Sequence, residues 1–414
     1  MTSGARPRVT VVGLGADGWD GLPERLREVV RSAPVLLGGQ RHLDLLPTVA
    51  GQVREPWPSP LRDGLPALLT ALLARHEHAV ALASGDPMLS GIGTTLVGLL
   101  GADAVRVEPA VSSVALARAR LGWSVESSET VTLVGRDPDL LRRALAPGRR
   151  LLVLSSDEHT PATVAALLVE QGYAGSRVVV LGDLGGPEES RREATAGAWS
   201  GPSPRLHVLA LELAGPVVGS WTAGLPDAAY EHDGQLTKRD LRAAALARLA
   251  PQPGQLLWDV GAGAGSVGIE WARAHPTCRT VAVEAHPERA ARVARNAAAL
   301  GVPGLEVVEG RAPDALADLE PPDAVFVGGG ATRPGVLEAC LAALRPGGRL
   351  VVHGVTLETE TLLAGAYAAH GGELTRHSVE TAEPIGGFTG WTPARAVVQW
   401  AHVKPSEPDP QETP

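Results

Sequence analysis

One stretch sets the frame for half of this chain. The apolar run of residues 256–260 ends in Trp258-Asp259-Val260 and passes straight into Gly261-Ala262-Gly263-Ala264-Gly265-Ser266. Three glycines at alternate positions after a strand leave the backbone bare enough for a ligand to lie against it. The next strand, predicted at 280–283, ends at Glu284, where a carboxylate is placed to accept hydrogen bonds from both hydroxyls of a ribose. Strand, glycine loop, helix, strand and acid in this order commit the segment to a parallel α/β sheet that binds a nucleoside at the carboxyl ends of its strands. Asp259, two residues before the first glycine, narrows the choice of nucleoside. Beside a pyrophosphate its charge is repulsive, whereas S-adenosylmethionine has no phosphate and carries a sulfonium and an ammonium. The loop favours a methyl donor over a nicotinamide cofactor, with helix capping by Asp259 as the plain alternative.

The alternation extends on both sides of this loop. Helices are predicted at 239–249, 267–273, 287–300 and 334–344, with strands at 256–260, 280–283, 305–308, 324–327 and 349–352. Such a series makes a doubly wound, mostly parallel sheet, and Val397-Val398-Gln399-Trp400 reads as an antiparallel edge. Upstream, short apolar runs at 9–12, 80–83, 130–134, 151–154, 178–181 and 206–211 alternate with helical stretches such as 22–32, 65–74 and 161–171, which is a second α/β unit. Periodicity is lost between 214 and 234, where Gly, Pro, Ser and Asp accumulate. The expected organisation is therefore a first module at 1–215, a linker at 216–233, a second module at 234–404 and a disordered Pro/Glu/Asp-rich tail at 405–414.

The first module has a glycine loop of its own, Gly13-x-Gly15-x-x-Gly18, after a strand. The acid that a dinucleotide site wants about 20 residues further on is missing, since the chain there reads Val35-Leu36-Leu37-Gly38-Gly39. A tight turn with close backbone approach is an equal reading of this loop. Composition removes other classes. With 37 basic against 46 acidic residues and a formal net charge of −9, the chain lacks the basic footprint of a nucleic-acid or anionic-membrane binder. Two cysteines, Cys278 and Cys340, make neither a disulfide framework nor a CxxC metal site, and no metal is expected. Residues 9–12 are too short an apolar run for a signal peptide, and no run is long enough to span a membrane, so a cytoplasmic protein is expected.

Several longer motifs resemble a known family. Residues 36–43 (Leu-Leu-Gly-Gly-Gln-Arg-His-Leu), the run from Ala83-Ser84-Gly85-Asp86-Pro87 to Gly93, and Pro109-Ala110-Val111-Ser112-Ser113 are similar to tetrapyrrole methylases. Gly234-Gln235-Leu236-Thr237-Lys238-Arg239, the 259–265 loop, Pro322-Asp323 through Gly330, Val355-Thr356-Leu357-Glu358-Thr359-Glu360 and Glu383-Pro384-Ile385-Gly386-Gly387-Phe388 are similar to the carbon-15 methylase and decarboxylase of the same pathway. Taken together the chain resembles the fused, two-module precorrin-6Y C(5,15)-methyltransferase (decarboxylating) family of cobalamin biosynthesis, along nearly its whole length. The implied fold is α/β: a two-lobed tetrapyrrole-methylase module followed by a Rossmann-like class I methyltransferase module.

The resemblance implies S-adenosylmethionine at two sites. In the first, Ala16, Ser84, Gly85, Asp86, Ser112 and Ser113 are the expected contacts, although this chain has Ala16-Asp17-Gly18 where the wider family usually has Pro-Gly-Asp. In the second they are Thr237, Gly261, Ala262, Gly263, Ala264, Gly265, Glu284 and Ala312. Thr237-x-x-Asp240 also reads as a capping box. Arg311 stands where many such enzymes place an acid or amide that reads adenine, and His353 stands where Asn is expected; a packed histidine is its plainer reading. The implied substrate is a precorrin with multiply anionic side chains, for which Arg41, Arg333 and Arg395 are candidate partners. The implied reaction is methylation at carbons 5 and 15 with loss of the ring C acetate carboxyl. Both carbons are electron-rich and the macrocycle absorbs the released electron pair, so alignment is the protein's main task and no catalytic residue is singled out. A homo-oligomer is expected. The competing readings are a nicotinamide-dependent two-domain oxidoreductase and a non-catalytic tetrapyrrole or nucleotide sensor.

Overall fold

The computed structural model describes residues 7–216 and 222–406. The chain divides into two compact units, Met1–Pro138 with Ala146–Pro216 and Asp139–Leu145 with Val217–Pro414. Residues 217–221 of the expected linker, and the expected tail from 407 on, lie outside the described residues.

The first unit has two sheets. Strands β1 (Val9–Leu14), β2 (Val35–Gly38), β3 (Val53–Pro56), β4 (Ala79–Ser84) and β5 (Val105–Glu108) form one, in the order β3-β2-β4-β1-β5 and all parallel. All six residues of β1 are buried, as a central parallel strand covered on both faces requires. Its period of two splits the core: Val9 and Val11 join Leu65, Leu69 and Leu96 on one face, while Val12 and Leu14 join Leu26, Val30 and Leu43 on the other. Strands β6 (Glu129–Thr132), β7 (Arg150–Leu154), β8 (Arg177–Gly182), β9 (Ser190–Thr195) and β10 (His207–Glu212) form the second sheet, ordered β6-β7-β10-β8-β9; only the β6–β7 pair is parallel. Its core meets Val114 and Ala117 of the helix Ser113–Leu121.

The second unit is built on β11 (Leu256–Val260), β12 (Arg279–Glu284), β13 (Glu306–Glu309), β14 (Ala324–Val327), β15 (Arg349–Gly354), β16 (Glu373–His377) and β19 (Val397–Val403). They are ordered β13-β12-β11-β14-β15-β19-β16, and a separate ribbon pairs β17 (Glu380–Ile385) with β18 (Phe388–Pro393). Five strands are parallel, as the sequence predicts. The order turns about β11, whose neighbours β12 and β14 lead away in opposite directions, so a crevice opens at the carboxyl ends of β11 and β14.

Two expectations for this unit are corrected. β19 is antiparallel but is no edge: it lies between β15 and β16, and Trp400 and Gln399 on it are wholly buried. The segment assigned to a linker packs as part of the unit from Gly224. Leu225 and Tyr230 are buried, and Glu270 accepts hydrogen bonds from Gly224 N (2.6 Å), Leu225 N (3.0 Å) and Tyr230 Oη (2.9 Å). A glycine-rich composition hid this because the carboxylate that satisfies those groups sits some 40 residues away, on the helix Ser266–Ala274.

Candidate functional site

A cavity of about 900 Å³ opens at the crevice of the second unit. Thr237, Gly261, Ala262, Gly263, Glu284 and Ala312 line it, together with Arg311, Arg333, His353 and Arg395. Six of the eight positions expected to hold the methyl donor, and two of the three arginines expected to hold substrate, thus meet at one place. The loops after β11 and β14 close its floor by bare backbone: Gly261 has φ +68°, and a Cβ there would stand 2.7 Å from Gly329 O. Both the conformation and the contact require glycine.

Glu284 is buried at the end of β12, and its two carboxylate oxygens accept from Gly263 N (2.8 Å) and His286 N (3.0 Å). A carboxylate has about four acceptor positions, so this pinning leaves capacity for ligand hydroxyls. Ala264 and Gly265, expected contacts, are instead buried and do not line the cavity. The Ala264 carbonyl accepts from Asn296 Nδ2 at 2.9 Å, and Gly265, at φ +75°, is the N-cap of the helix Ser266–Ala274 and packs on Val293. Only the first half of the glycine motif faces the cavity; the second half turns the chain into the helix.

Asp259 takes the plainer of its two readings. It is buried, away from the cavity lining, and accepts from Gly268 N at 2.9 Å in the first turn of that helix. Burial, with Glu284 nearby as a smaller contribution, pushes its carboxyl up to about 7. The bond ties the strand to the helix behind the loop, on the side away from the cavity, so the geometry gives Asp259 no part in choosing between a methyl donor and a pyrophosphate.

Thr237 does not cap the following helix. Lys238 is the N-cap of Arg239–Leu249 without a side-chain bond, and the Thr237 carbonyl accepts from Arg242 Nη1. His353 is packed as expected: it stands edge-on to Phe326 with centroids 5.0 Å apart and bonds Gln399 Oε1 through Nε2 at 2.9 Å. Burial pushes its imidazole down to about 4, which leaves a neutral ring at the cavity wall. Lys238, Arg239, Arg289 and His377 also line the cavity. Sequence reasoning missed them because exposed charges on helix starts and polar strands carry no periodic signal.

In the first unit three turns meet at the carboxyl end of β1 and β4. Gly85 N donates to Leu14 O (2.7 Å), Ala110 N donates to Gly85 O (3.1 Å), and a Cβ on Gly13 would stand 2.0 Å from Gly85 O. The first glycine loop is therefore a close-approach turn. Ser112 caps the helix Ser113–Leu121 by accepting from Ala115 N at 3.1 Å, and Asp86 Oδ1 accepts from Met88 N at 2.9 Å. Ala16 lies against Gly186, the loop after β8, where a Cβ would be 2.9 Å from the Ala16 Cβ. Ser84, exposed at the end of β4, bonds His42 Nε2 (2.9 Å) and Arg41 Nη2 (3.2 Å). The predicted Arg41 is thus joined directly to the Ser-Gly-Asp-Pro turn, alongside a histidine that sequence reasoning left without a role. Burial and the adjacent Arg41 push His42 down to about 4. Among the described residues no group of His, Cys, Asp and Glu is arranged to hold a metal, and no helix is long and apolar enough to cross a membrane.

Comparison with known proteins finds a family for each unit. Residues 8–199 match the tetrapyrrole (corrin/porphyrin) methylases, and residues 228–404 match the precorrin methyltransferase domain. A precorrin-6Y C(5,15)-methyltransferase [decarboxylating] of a Sinorhizobium species is 45% identical over 96% of this chain and 97% of its own length. The protein of the same name from Mycobacterium tuberculosis is 46% identical over 96% of this chain and 100% of its own. The solved C-terminal domain of precorrin-6Y C5,15-methyltransferase from Rhodobacter capsulatus is 43% identical, with a TM-score of 0.43, over 45% of this chain and 100% of that one. At this identity along nearly its full length, the chain belongs to the precorrin-6Y C(5,15)-methyltransferase (decarboxylating) family.

Proposed function

We propose that this chain methylates a precorrin at carbons 5 and 15 and removes the ring C acetate carboxyl, in cobalamin biosynthesis, with one S-adenosylmethionine site in each unit. The observation that carries this reading is the convergence of Thr237, Gly261, Ala262, Gly263, Glu284 and Ala312 with Arg333 and Arg395 around one cavity. The residues present suit the donor: a bare backbone loop and a pinned carboxylate with free acceptor capacity. When bound, S-adenosylmethionine supplies an electrophilic methyl group on a sulfonium.

The chain's own part is alignment and exclusion of water. Glu284 receives the ribose hydroxyls, the Gly261–Gly263 backbone carries the rest of the nucleoside, and Ala312 flanks the base. Arg333 and Arg395 receive substrate carboxylates, for which a bidentate guanidinium is the best-matched donor. His353, held neutral by burial, adds no charge against them. In the first unit Ala16, the Gly85-Asp86 turn and Ser112-Ser113 receive the donor, while Arg41 and His42 fix the Ser84 hydroxyl.

We assign carbon 15 and the decarboxylation to the second unit and carbon 5 to the first. Carbon 15 adjoins ring C, so one cleft can align the methyl donor with that carbon and hold the scissile bond perpendicular to the conjugated plane. Carbon 5 lies across the macrocycle. Incubating the full chain with methyl-labelled S-adenosylmethionine and the precorrin tests the reading. A product carrying two labelled methyl groups and lacking one carboxyl is expected, and binding without turnover would leave a sensor instead.

A further inference from the structure

The ribbon β17–β18 is joined by a two-residue turn, Gly386-Gly387, and pairs with no other strand among the described residues. A lone two-stranded ribbon is marginal in water, and the residues of β17 are exposed throughout. Its register fixes which side chains share a face. Thr381 pairs with Thr392, Glu383 with Gly390 and Ile385 with Phe388; the alternate pairs, Ala382 with Trp391 and Pro384 with Thr389, point to the other side.

The first of these faces belongs to the cavity. Val379, Thr381 and Glu383 line it, and the residues between them do not. Beyond the cavity lining the same face of the ribbon continues to Ile385 and Phe388, which are 59% and 84% exposed. Ile385 lies across the ribbon: a Cβ on Gly390 would stand 2.4 Å from its Cδ1, so glycine at that position is what allows an apolar inner surface there.

We propose that this inner face, with Ile385 and Phe388 at its tip, is the wall against which the apolar face of the tetrapyrrole rests in the second unit. The proposal depends on the function proposed above and names the substrate's seat within that same site. The occupant follows from what adjoins the wall. A conjugated macrocycle with carboxylate arms needs an apolar, preferably aromatic, surface under its ring and guanidinium groups at its rim. Phe388 and Ile385 supply the first, and Arg311, Arg333 and Arg395 line the cavity that the wall continues. Glu383, the acid on the same face, repels a carboxylate arm and so turns the arms toward the arginines.

The test uses the full chain at saturating S-adenosylmethionine, with initial rates of carbon-15 methylation and carbon dioxide release measured against precorrin concentration. Phe388→Ala should lower kcat/KM about tenfold or more, mainly through KM, as expected for one lost aromatic contact. Its thermal melt and its affinity for S-adenosylhomocysteine should stay at wild-type values, and Phe388→Leu should recover part of the loss. Trp391→Ala, on the opposite face, should remain within about twofold of wild type. Unchanged kcat/KM in Phe388→Ala, or equal loss in both variants, overturns the proposal and leaves the function standing. A loss in Phe388→Ala accompanied by a smaller sedimenting species gives the face to a second copy of the chain and also overturns it. A wild-type chain without turnover removes both the function and the wall.

Discussion

Arg242 and Glu270 form an ion pair whose side chains are 0% and 3% exposed, and the pair ties three segments of the second unit together. Arg242 also donates to the carbonyls of Thr237 and Leu225, and Glu270 accepts from the 224–230 segment. Removing one partner strands the other charge in a dry site, and breaking such a pair costs about 3–5 kcal/mol. Glu270→Ala should destabilise the second unit by that order in a denaturant titration. It should also weaken S-adenosylhomocysteine binding there, because Thr237 loses its anchor. Wild-type stability in this variant would show that the pair is dispensable.

Gly261→Ala is expected to abolish binding in the second unit. Its φ of +68° and the 2.7 Å approach of Gly329 O leave no room for a methyl group. Calorimetric titration with S-adenosylhomocysteine should pass from two sites to one. Retention of both sites would contradict the assigned loop geometry.

Glu284→Ala should weaken one donor site by about 1–3 kcal/mol, the cost of leaving buried hydroxyls without their acceptor. The other site should keep its affinity, and at S-adenosylmethionine too dilute to fill the weakened site the product should gain the carbon-5 methyl group while retaining the ring C acetate. Equal weakening at both sites would deny the independence of the two units.

Asp259 predicts a pH signature. Its carboxyl rises from 3.8 to about 7 in the fold, so between those values the folded chain holds a proton that the unfolded chain has released. Stability contributed by this group is present below pH 3.8 and is lost as pH rises toward 7. Asp259→Asn keeps an acceptor for Gly268 N and removes the charge. It should raise the Tm at pH 8, by an amount on the order of 2–4 kcal/mol in stability, and the gain should shrink on acidification through pH 5.

His42 and His353 carry the opposite sign. Each falls from 6.5 to about 4, so each contributes stability that is full above pH 6.5 and lost as pH falls toward 4, where only the unfolded chain takes up the proton. Replacing either by Gln should flatten the loss of Tm over that interval for its own unit. A melt series showing the same acid slope in His42→Gln as in wild type would contradict the neutral state of that ring.

Legibility from sequence followed locality. Arg239–Leu249, Leu256–Val260 and Ala324–Val327 were readable to the residue because an uninterrupted apolar pattern ends at turn residues. β17 and β9 were not, since their side chains are mostly exposed and polar and give no alternation of hydrophobic and polar residues. The glycine loop announced the cavity but not its limits: Gly261 and Gly265 look alike in sequence, and only the neighbours Gly329 and Val293 tell a cavity-facing glycine from one that packs a helix. The placement of 224–233 depended on Glu270 and Asn296, which no local composition reveals.

The hydrogen bond from Gly268 N to Asp259 works as a pin beneath the glycine loop. It joins a strand to the first turn of the helix that follows, on the buried side of the motif and away from the cavity. The span that Gly261 to Gly263 must bridge is thereby set from underneath, whether or not the carboxyl is charged, and the surface that the loop offers to the cavity can stay bare of side chains.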